Sequence, residues 1–134
     1  MVDIEAEVYD RCAKAVLEIE PEAFTTSTYV AAPASFPALH VSEISNVTDT
    51  RHMDSALKEK FSIVTYQSDV YSNLRSGAKR QAKKMAQAVD EAMLAMGLTR
   101  TYMGTVSNPA DTSVYRISAR YTAVAGDDKR IYRR

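Results

Sequence analysis

Hydrophobic positions recur every three or four residues in two segments, which is the spacing of one buried helical face. The first segment is residues 2–19, and its apolar positions are Ile4, Val8, Cys12, Val16 and Ile19. The second is residues 76–96, and its apolar positions are Ala82, Met85, Ala86, Val89, Ala92, Met93 and Met96. Pro21 is placed to end the first helix, and Gly97 to follow the second in a left-handed conformation. The pattern therefore predicts two amphipathic helices.

An alternation runs through the segment 113–125 and is typical of a strand with two different faces. One face carries Tyr115, Ile117, Ala119, Tyr121 and Ala123. The other carries Arg116, Ser118, Arg120 and Thr122. Runs of β-branched and aromatic residues predict further strands at residues 25–30, 38–44, 61–71, 98–106 and 130–134. Residues 46–60 have no clean period, and we expect a long mobile loop or hairpin tip there.

The predicted order of elements is αβββαβββ, with hairpins in place of repeated crossover helices. This order indicates an α+β fold, in which two helices pack on one face of a mixed, mostly antiparallel β-sheet. We expect the helices to cover the Tyr115 face. With 134 residues the chain can bury a core of its own, so residues 1–134 are predicted to form a single domain.

Composition removes some classes of protein. No apolar run approaches the ~20 residues that span a bilayer, and the first residues lack the basic and apolar blocks of a secretory signal. Membrane partners are therefore not expected. Cys12 is the only cysteine, so no internal disulfide can form. We interpret Cys12 as a core residue of a protein in a reducing cytoplasm.

Charge is balanced in total but not along the chain. The 17 basic and 17 acidic residues give a formal net charge of zero. Acids dominate residues 3–22, bases dominate residues 75–84, and the chain ends in Arg133 and Arg134. The second basic group lies in the first half of a predicted helix, where the helix dipole already concentrates positive charge. This surface is interpreted as a solvated face, a contact with an acidic patch of a neighbouring subunit, or a contact with DNA.

Catalytic and metal-binding patterns do not emerge from the sequence. His40 lies inside a predicted strand and is expected to be packed. His52 has Asp49 and Asp54 nearby in sequence, an arrangement that a solvated polar loop explains. No nucleophile elbow, phosphate-binding loop or spaced metal-ligand set occurs. We therefore predict no enzyme activity, no cofactor and no metal site.

Four segments together carry a family resemblance. They are residues 36–46 (FPALHVSEISN), residues 65–73 (TYQSDVYSN), residues 89–124 and the terminal IYRR. This pattern resembles the tail-terminator, or tail-completion, proteins of long-tailed bacteriophages. In that family a strand ending in VYSN leads to an amphipathic helix, then to GFTRT and a YR..ARY.A strand. Leu98 stands where the family has phenylalanine, and the resemblance covers residues 36–134.

The resemblance implies a structural protein of the virion. Its subunits would form a ring, usually a hexamer, that caps the tail tube, ends tail polymerisation and joins the tail to the head. Assembly would occur in the host cytoplasm, and the finished ring would lie at the tail–neck junction. Its implied partners are copies of itself, the tail tube protein, a head–neck connector protein and, non-specifically, DNA passing through the lumen.

Charge and predicted face alone supply candidates for the subunit interface or the lumen. These are Arg75, Lys79, Arg80, Lys83, Lys84, Arg116, Arg120, Arg133 and Arg134. Two alternative functions stay open at this point. One is a neck or head-completion protein on the portal side, and the other is a small nucleic-acid-binding module that uses the second helix.

Overall fold

A computed structural model describes residues 1–29, 33–49, 61–107 and 113–132. Within these ranges the order of elements is αβββαβββ, as predicted. The helices are α1 (Glu5–Ile19) and α2 (Ala78–Met96). The strands are β1 (Phe24–Thr26), β2 (Ala38–Thr48), β3 (Phe61–Ser72), β4 (Thr99–Val106), β5 (Tyr115–Gly126) and β6 (Ile131–Tyr132).

All described strands belong to one sheet in the order β1-β2-β3-β5-β4. The short β6 pairs with β5 beyond the end of β4, on the same side. β1 runs parallel to β2, and every other described pairing is antiparallel. The predicted α+β fold with a mixed, mostly antiparallel sheet is therefore confirmed.

Both helices cover one face of this sheet. α1 lies on β2, and α2 lies on β3, β5 and β4, while the two helices also pack against each other. The apolar face of β5 is turned toward them, with Ile117, Ala119 and Tyr121 buried and Tyr115 partly buried. Cys12 is fully buried in the same core, as predicted. The apolar side chains of both helices and of β5 thus form one hydrophobic core.

The ends of the helices differ from the prediction in detail. Gly97 has a φ of 102°, and its N–H donates to the carbonyl of Leu94, so the predicted left-handed residue after α2 is confirmed. α1 begins at Glu5, three residues later than predicted. Ile19 was placed in the buried stripe, which is wrong, because α1 ends at this residue and its side chain is 44% exposed.

Two strand boundaries also require correction. β2 continues to Thr48, so the loop predicted for residues 46–60 is wrong at its start. The cause is pairing with β3, which places Asn46 opposite Val64 and continues the ladder to Thr48. The remainder of that prediction, residues 50–60, lies outside the described residues. β1 ends at Thr26, whose hydroxyl accepts a hydrogen bond from the N–H of Thr28 and turns the chain.

A second, smaller apolar cluster lies on the face of the sheet that the helices leave uncovered. It consists of Ala38, Tyr71 and Val114, with Phe24 and Phe36 packed against it. The chain between β1 and β2 therefore covers one end of this face. We call this surface the helix-free face.

Candidate functional site

The first half of α2 presents the basic residues predicted from the sequence. Gly77 has a φ of 87° and precedes the helix without a side-chain cap. Lys79, Arg80, Lys83 and Lys84 are exposed on α2, and Arg75 is exposed just before it. No described residue forms an ion pair with any of these five side chains. The first turn contains no acidic residue, so these charges add to the positive end of the helix dipole.

The acidic segment lies on the other side of the same helix layer. Residues 3–22 contain seven acidic and two basic residues, whereas residues 75–84 contain five basic residues and no acidic one. α1 lies on β2, toward one edge of the sheet, while α2 lies over the strands that lead to the opposite edge. The acidic and basic segments therefore lie over different strands, although Asp10 and Glu18 of α1 line a groove shared with Ala92 of α2. We call residues 3–22 the acidic side and residues 75–84 the basic side.

The helix-free face holds a buried charged cluster around Asp69, which is fully inaccessible to solvent. Neighbouring strands supply its partners, because β3 lies between β2 and β5. The Nδ1 of His40 lies 3.0 Å from one carboxylate oxygen, and the Nε2 of Gln67 donates to the same oxygen at 3.0 Å. Arg116 donates to the other oxygen through Nε and Nη2, at 3.0 and 2.9 Å. All the strong acceptor positions of this carboxylate are thus used.

These contacts determine the charge state of Asp69. Burial alone would raise its pKa, but the hydrogen bonds from His40 and Gln67 and the positive charge of Arg116 lower the pKa to about 2. The carboxylate is therefore ionised at neutral pH and can only accept. It follows that Nδ1 of His40 carries the proton and donates to Asp69.

Aromatic rings surround the charged groups. The guanidinium carbon of Arg116 lies 5.9 Å from the ring centroid of Tyr29 and 5.6 Å from that of Tyr71. Tyr29 also contacts the ring of His40 edge to face, with 5.7 Å between centroids. The Nε2 of His40 and the hydroxyl of Tyr71 are buried and have no hydrogen-bond partner among the described residues. The imidazole of His40 is buried inside the protomer. Because His40, Asp69 and Arg116 belong to β2, β3 and β5, the cluster connects three neighbouring strands.

The predicted site residues fall into two groups on opposite layers. The bases of α2 lie on the helix layer, and Arg116 and Arg120 lie on the helix-free face. Arg116 is mostly buried by its contacts with Asp69, whereas Arg120 is exposed and donates from Nε to Gln67 at 3.3 Å. Arg133 and Arg134 lie outside the described residues. The structure therefore does not bring the two groups together.

Asp69 and Gln67 did not emerge as important from the sequence. A usable signal was present, because both lie at alternate positions, and so on one face, inside the predicted strand at residues 61–71. Aspartate is disfavoured inside strands, so its presence there indicates a specific partner. The prediction that His40 is packed is confirmed, since it is 2% exposed.

The remaining surface features carry less chemistry. A groove of about 420 Å³ lies between α2 and β4, and its lining includes Lys83, Asp90 and Arg100. The described residues contain no group of three or more His, Cys, Asp or Glu side chains arranged to hold a metal ion. His52 and Asp54 lie outside them.

The chain matches no family model, and no curated protein is significantly similar to it. Neither helix in the described ranges has the length and apolar character needed to cross a membrane.

Proposed function

We propose that this chain is a tail-terminator protein, a structural component that forms a ring on the end of a bacteriophage tail tube. Two lines of support converge on this function. The sequence resembles that family over residues 36–134. The observation that carries the proposal is the separation of an acidic side at residues 3–22 from a basic side at residues 75–84 within one helix layer.

This separation of charge favours contacts between copies that are related head to tail. When copies lie side by side in the same orientation, the basic side of one meets the acidic side of the next. Such a contact is heterologous, and repeated heterologous contacts that close by rotation generate a ring. The partners in this proposal are other copies, the last ring of tail tube protein and a head–neck connector protein, with DNA passing through the lumen.

Capping of tail tubes tests this function. Tail tubes assembled with the purified chain should stop growing, and the protein should be found at one tube end by electron microscopy. Association with finished tails before filled heads supports the terminator role. Association with filled heads alone would favour the neck or head-completion protein instead. Tubes that grow to the same lengths with and without the chain would contradict the proposal.

Charge reversal tests whether the separated acidic and basic residues drive the contact between copies. The variant Lys79→Glu/Lys83→Glu should lose self-association, because it lowers the formal charge of residues 75–84 from +5 to +1. The variant Glu7→Lys/Asp10→Lys changes the other side and should fail in the same way. Mixing the two variants should restore association between unlike copies. If each variant alone assembles like the unchanged chain, opposite charges do not drive the contact.

A nucleic-acid-binding module is the second candidate. It is favoured by the bases at the start of α2, which have no ion-pair partner among the described residues. Binding to duplex DNA should then weaken steeply between about 50 and 200 mM salt, since phosphate contacts release counterions. Fluorescence anisotropy with a labelled duplex measures this. Absence of binding at the lower salt concentration would remove the candidate.

A further inference from the structure

Both lateral edges of the sheet are open over part of their length in the described ranges. β4 is the outermost strand on one side. On the other side β1 pairs with β2 only from Ala38 to His40, so residues 41–48 have no described strand beside them. Within this stretch the backbone N–H of Glu43 donates to the carboxylate of Glu5 at 2.7 Å, and a pairing strand would have to replace that contact. An open edge presents a row of backbone N–H and C=O groups that can pair with another chain.

These two edges also expose large apolar side chains. Tyr102 and Met103 of β4 are 46% and 37% exposed, and Ile44 and Val47 of β2 are 46% and 55% exposed. Neither strand contains proline, which would discourage pairing. These four side chains are among the eleven large apolar side chains that are exposed in the described residues, and they give each edge apolar surface that a neighbouring strand could cover.

The direction of the strands suits pairing between copies. β2 is antiparallel to β3, β3 to β5, and β5 to β4. β4 therefore runs antiparallel to β2 of the same copy. When a second copy lies beside the first in the same orientation, the facing β4 and β2 edges form an antiparallel pair without any rotation of the sheet.

The register of the sheet identifies which residues would meet. On the helix-free face one row across the sheet consists of Ser42, Gln67, Arg120 and Tyr102. On the helix-covered face another row consists of Glu43, Tyr66, Tyr121 and Arg100. The residues at the two ends of the second row, Glu43 and Arg100, have opposite charges, although within the protomer Arg100 pairs with Asp90 at 3.0 Å and the carboxylate of Glu43 accepts from Tyr66 at 3.1 Å. The bulge of β4 lies between this row and the first one, whereas the bulge of β2 lies on the other side of this row.

We infer that β4 of one copy pairs antiparallel with residues 41–45 of β2 in the next copy, and that this pairing continues the sheet around the ring. Tyr102 then lies beside Ser42 of the next copy, and Arg100 lies beside its Glu43. The same placement brings the bases of α2 toward the acids of the neighbouring α1. This inference rests on the ring proposed above and names the contact that builds it.

Cysteine cross-linking of the full-length chain tests the pairing. Ser42→Cys and Tyr102→Cys are prepared as separate variants, mixed and mildly oxidised. Facing residues of an antiparallel pair have Cα atoms about 4.5–5.5 Å apart, within the range of a disulfide. Native Cys12 does not interfere, because it is fully buried and burial raises its pKa to about 12. Leu74→Cys, in an exposed turn at the end of the central strand β3, replaces Tyr102→Cys in the control mixture.

The matched mixture should give a cross-linked dimer at roughly ten times the yield of the control or more, because an interface holds the two thiols at an effective concentration on the order of millimolar. The double variant in one chain should give a ladder of cross-linked species that ends at the size of the ring. If closed rings form but the matched pair cross-links no better than the control, the edge pairing is wrong and the ring stands. If the unchanged chain forms no oligomer at all, both proposals fail.

Discussion

The two faces of the sheet are buried by different means. The helix-covered face is filled by apolar side chains, among them Val64, Met93 and Tyr121, all fully buried. No helix of the described residues lies above the helix-free face, yet this face buries the carboxylate of Asp69 through four hydrogen bonds from three side chains. The first face tolerates approximate complementarity of shape. The second depends on each charged group keeping its partner, because an unpaired charge is costly to bury.

The largest expected effect therefore comes from removing Asp69. Asp69→Ala leaves Arg116 and His40 without their shared acceptor, and should lower the free energy of unfolding by about 3–5 kcal/mol. Urea denaturation followed by circular dichroism measures the loss. Glu7→Ala provides the control, because Glu7 forms an exposed ion pair with Arg11 at 3.9 Å, and such pairs contribute about 0.5 kcal/mol or less. Equal losses of unfolding free energy in both variants would show that the buried cluster stabilises the fold no more than an exposed ion pair does.

A smaller loss in the free energy of unfolding is expected when a side chain is removed from the core on the helix-covered face. Met93→Ala removes a fully buried side chain and should cost about 3 kcal/mol, through lost burial and a residual cavity. The same denaturation experiment reports it. A nearby matched control is Leu94→Ala, at a side chain that is 42% exposed. If the Leu94 variant is destabilised as much as the Met93 variant, burial on the helix-covered face does not explain the loss.

Acid should weaken the helix-free face selectively. The pKa of Asp69 is lowered from its ordinary value of 3.8 to about 2 in the folded chain, so the folded state binds fewer protons than the unfolded state between these values. The stabilising contribution is present above pH about 4 and is lost as the pH falls toward 2. Unfolding curves measured across this range should show the decline. The decline should become shallower in Asp69→Asn, and an unchanged slope would rule out Asp69 as its source.

The smallest effect concerns the outer surface of α2, which neither face buries. Lys79→Glu places a negative charge in the first turn and should stabilise the monomer by about 0.5 kcal/mol, because it complements the helix dipole. If Lys79→Glu stabilises the monomer and also weakens self-association, this surface serves contacts between copies and not the fold of one copy. Thermal unfolding under conditions where the chain is monomeric measures the first part. Destabilisation by Lys79→Glu would mean that this lysine supports the fold.

The difference between the two faces also explains what the sequence could predict. Periodicity identified both helices and the covered side of β5, since burial against a neighbouring layer leaves a regular apolar pattern. It did not identify the contact between Asp69 and Arg116, because these residues are distant in sequence and meet only through the register of β3 and β5, where Tyr71 lies opposite Arg116. The extension of β2 to Thr48 was missed for the same reason, since pairing with β3 overrides a local sequence of weak period.

The candidate surfaces show the same division. The charges of residues 3–22 and 75–84 could be read directly from composition. Their placement on opposite sides of one helix layer could not, because it depends on which strand each helix covers. The charge of Arg116 made it a candidate for the subunit interface or the lumen. In the structure its guanidinium pairs with Asp69 inside the protomer.

Imaging of the purified chain by negative-stain electron microscopy, with native mass spectrometry of the same sample, addresses assembly most directly. A head-to-tail contact that closes should give one discrete oligomer, seen as a ring with a central hole and dissociated by high salt. Particles that remain monomeric at every concentration and salt tested, or that grow into open filaments, would contradict the account.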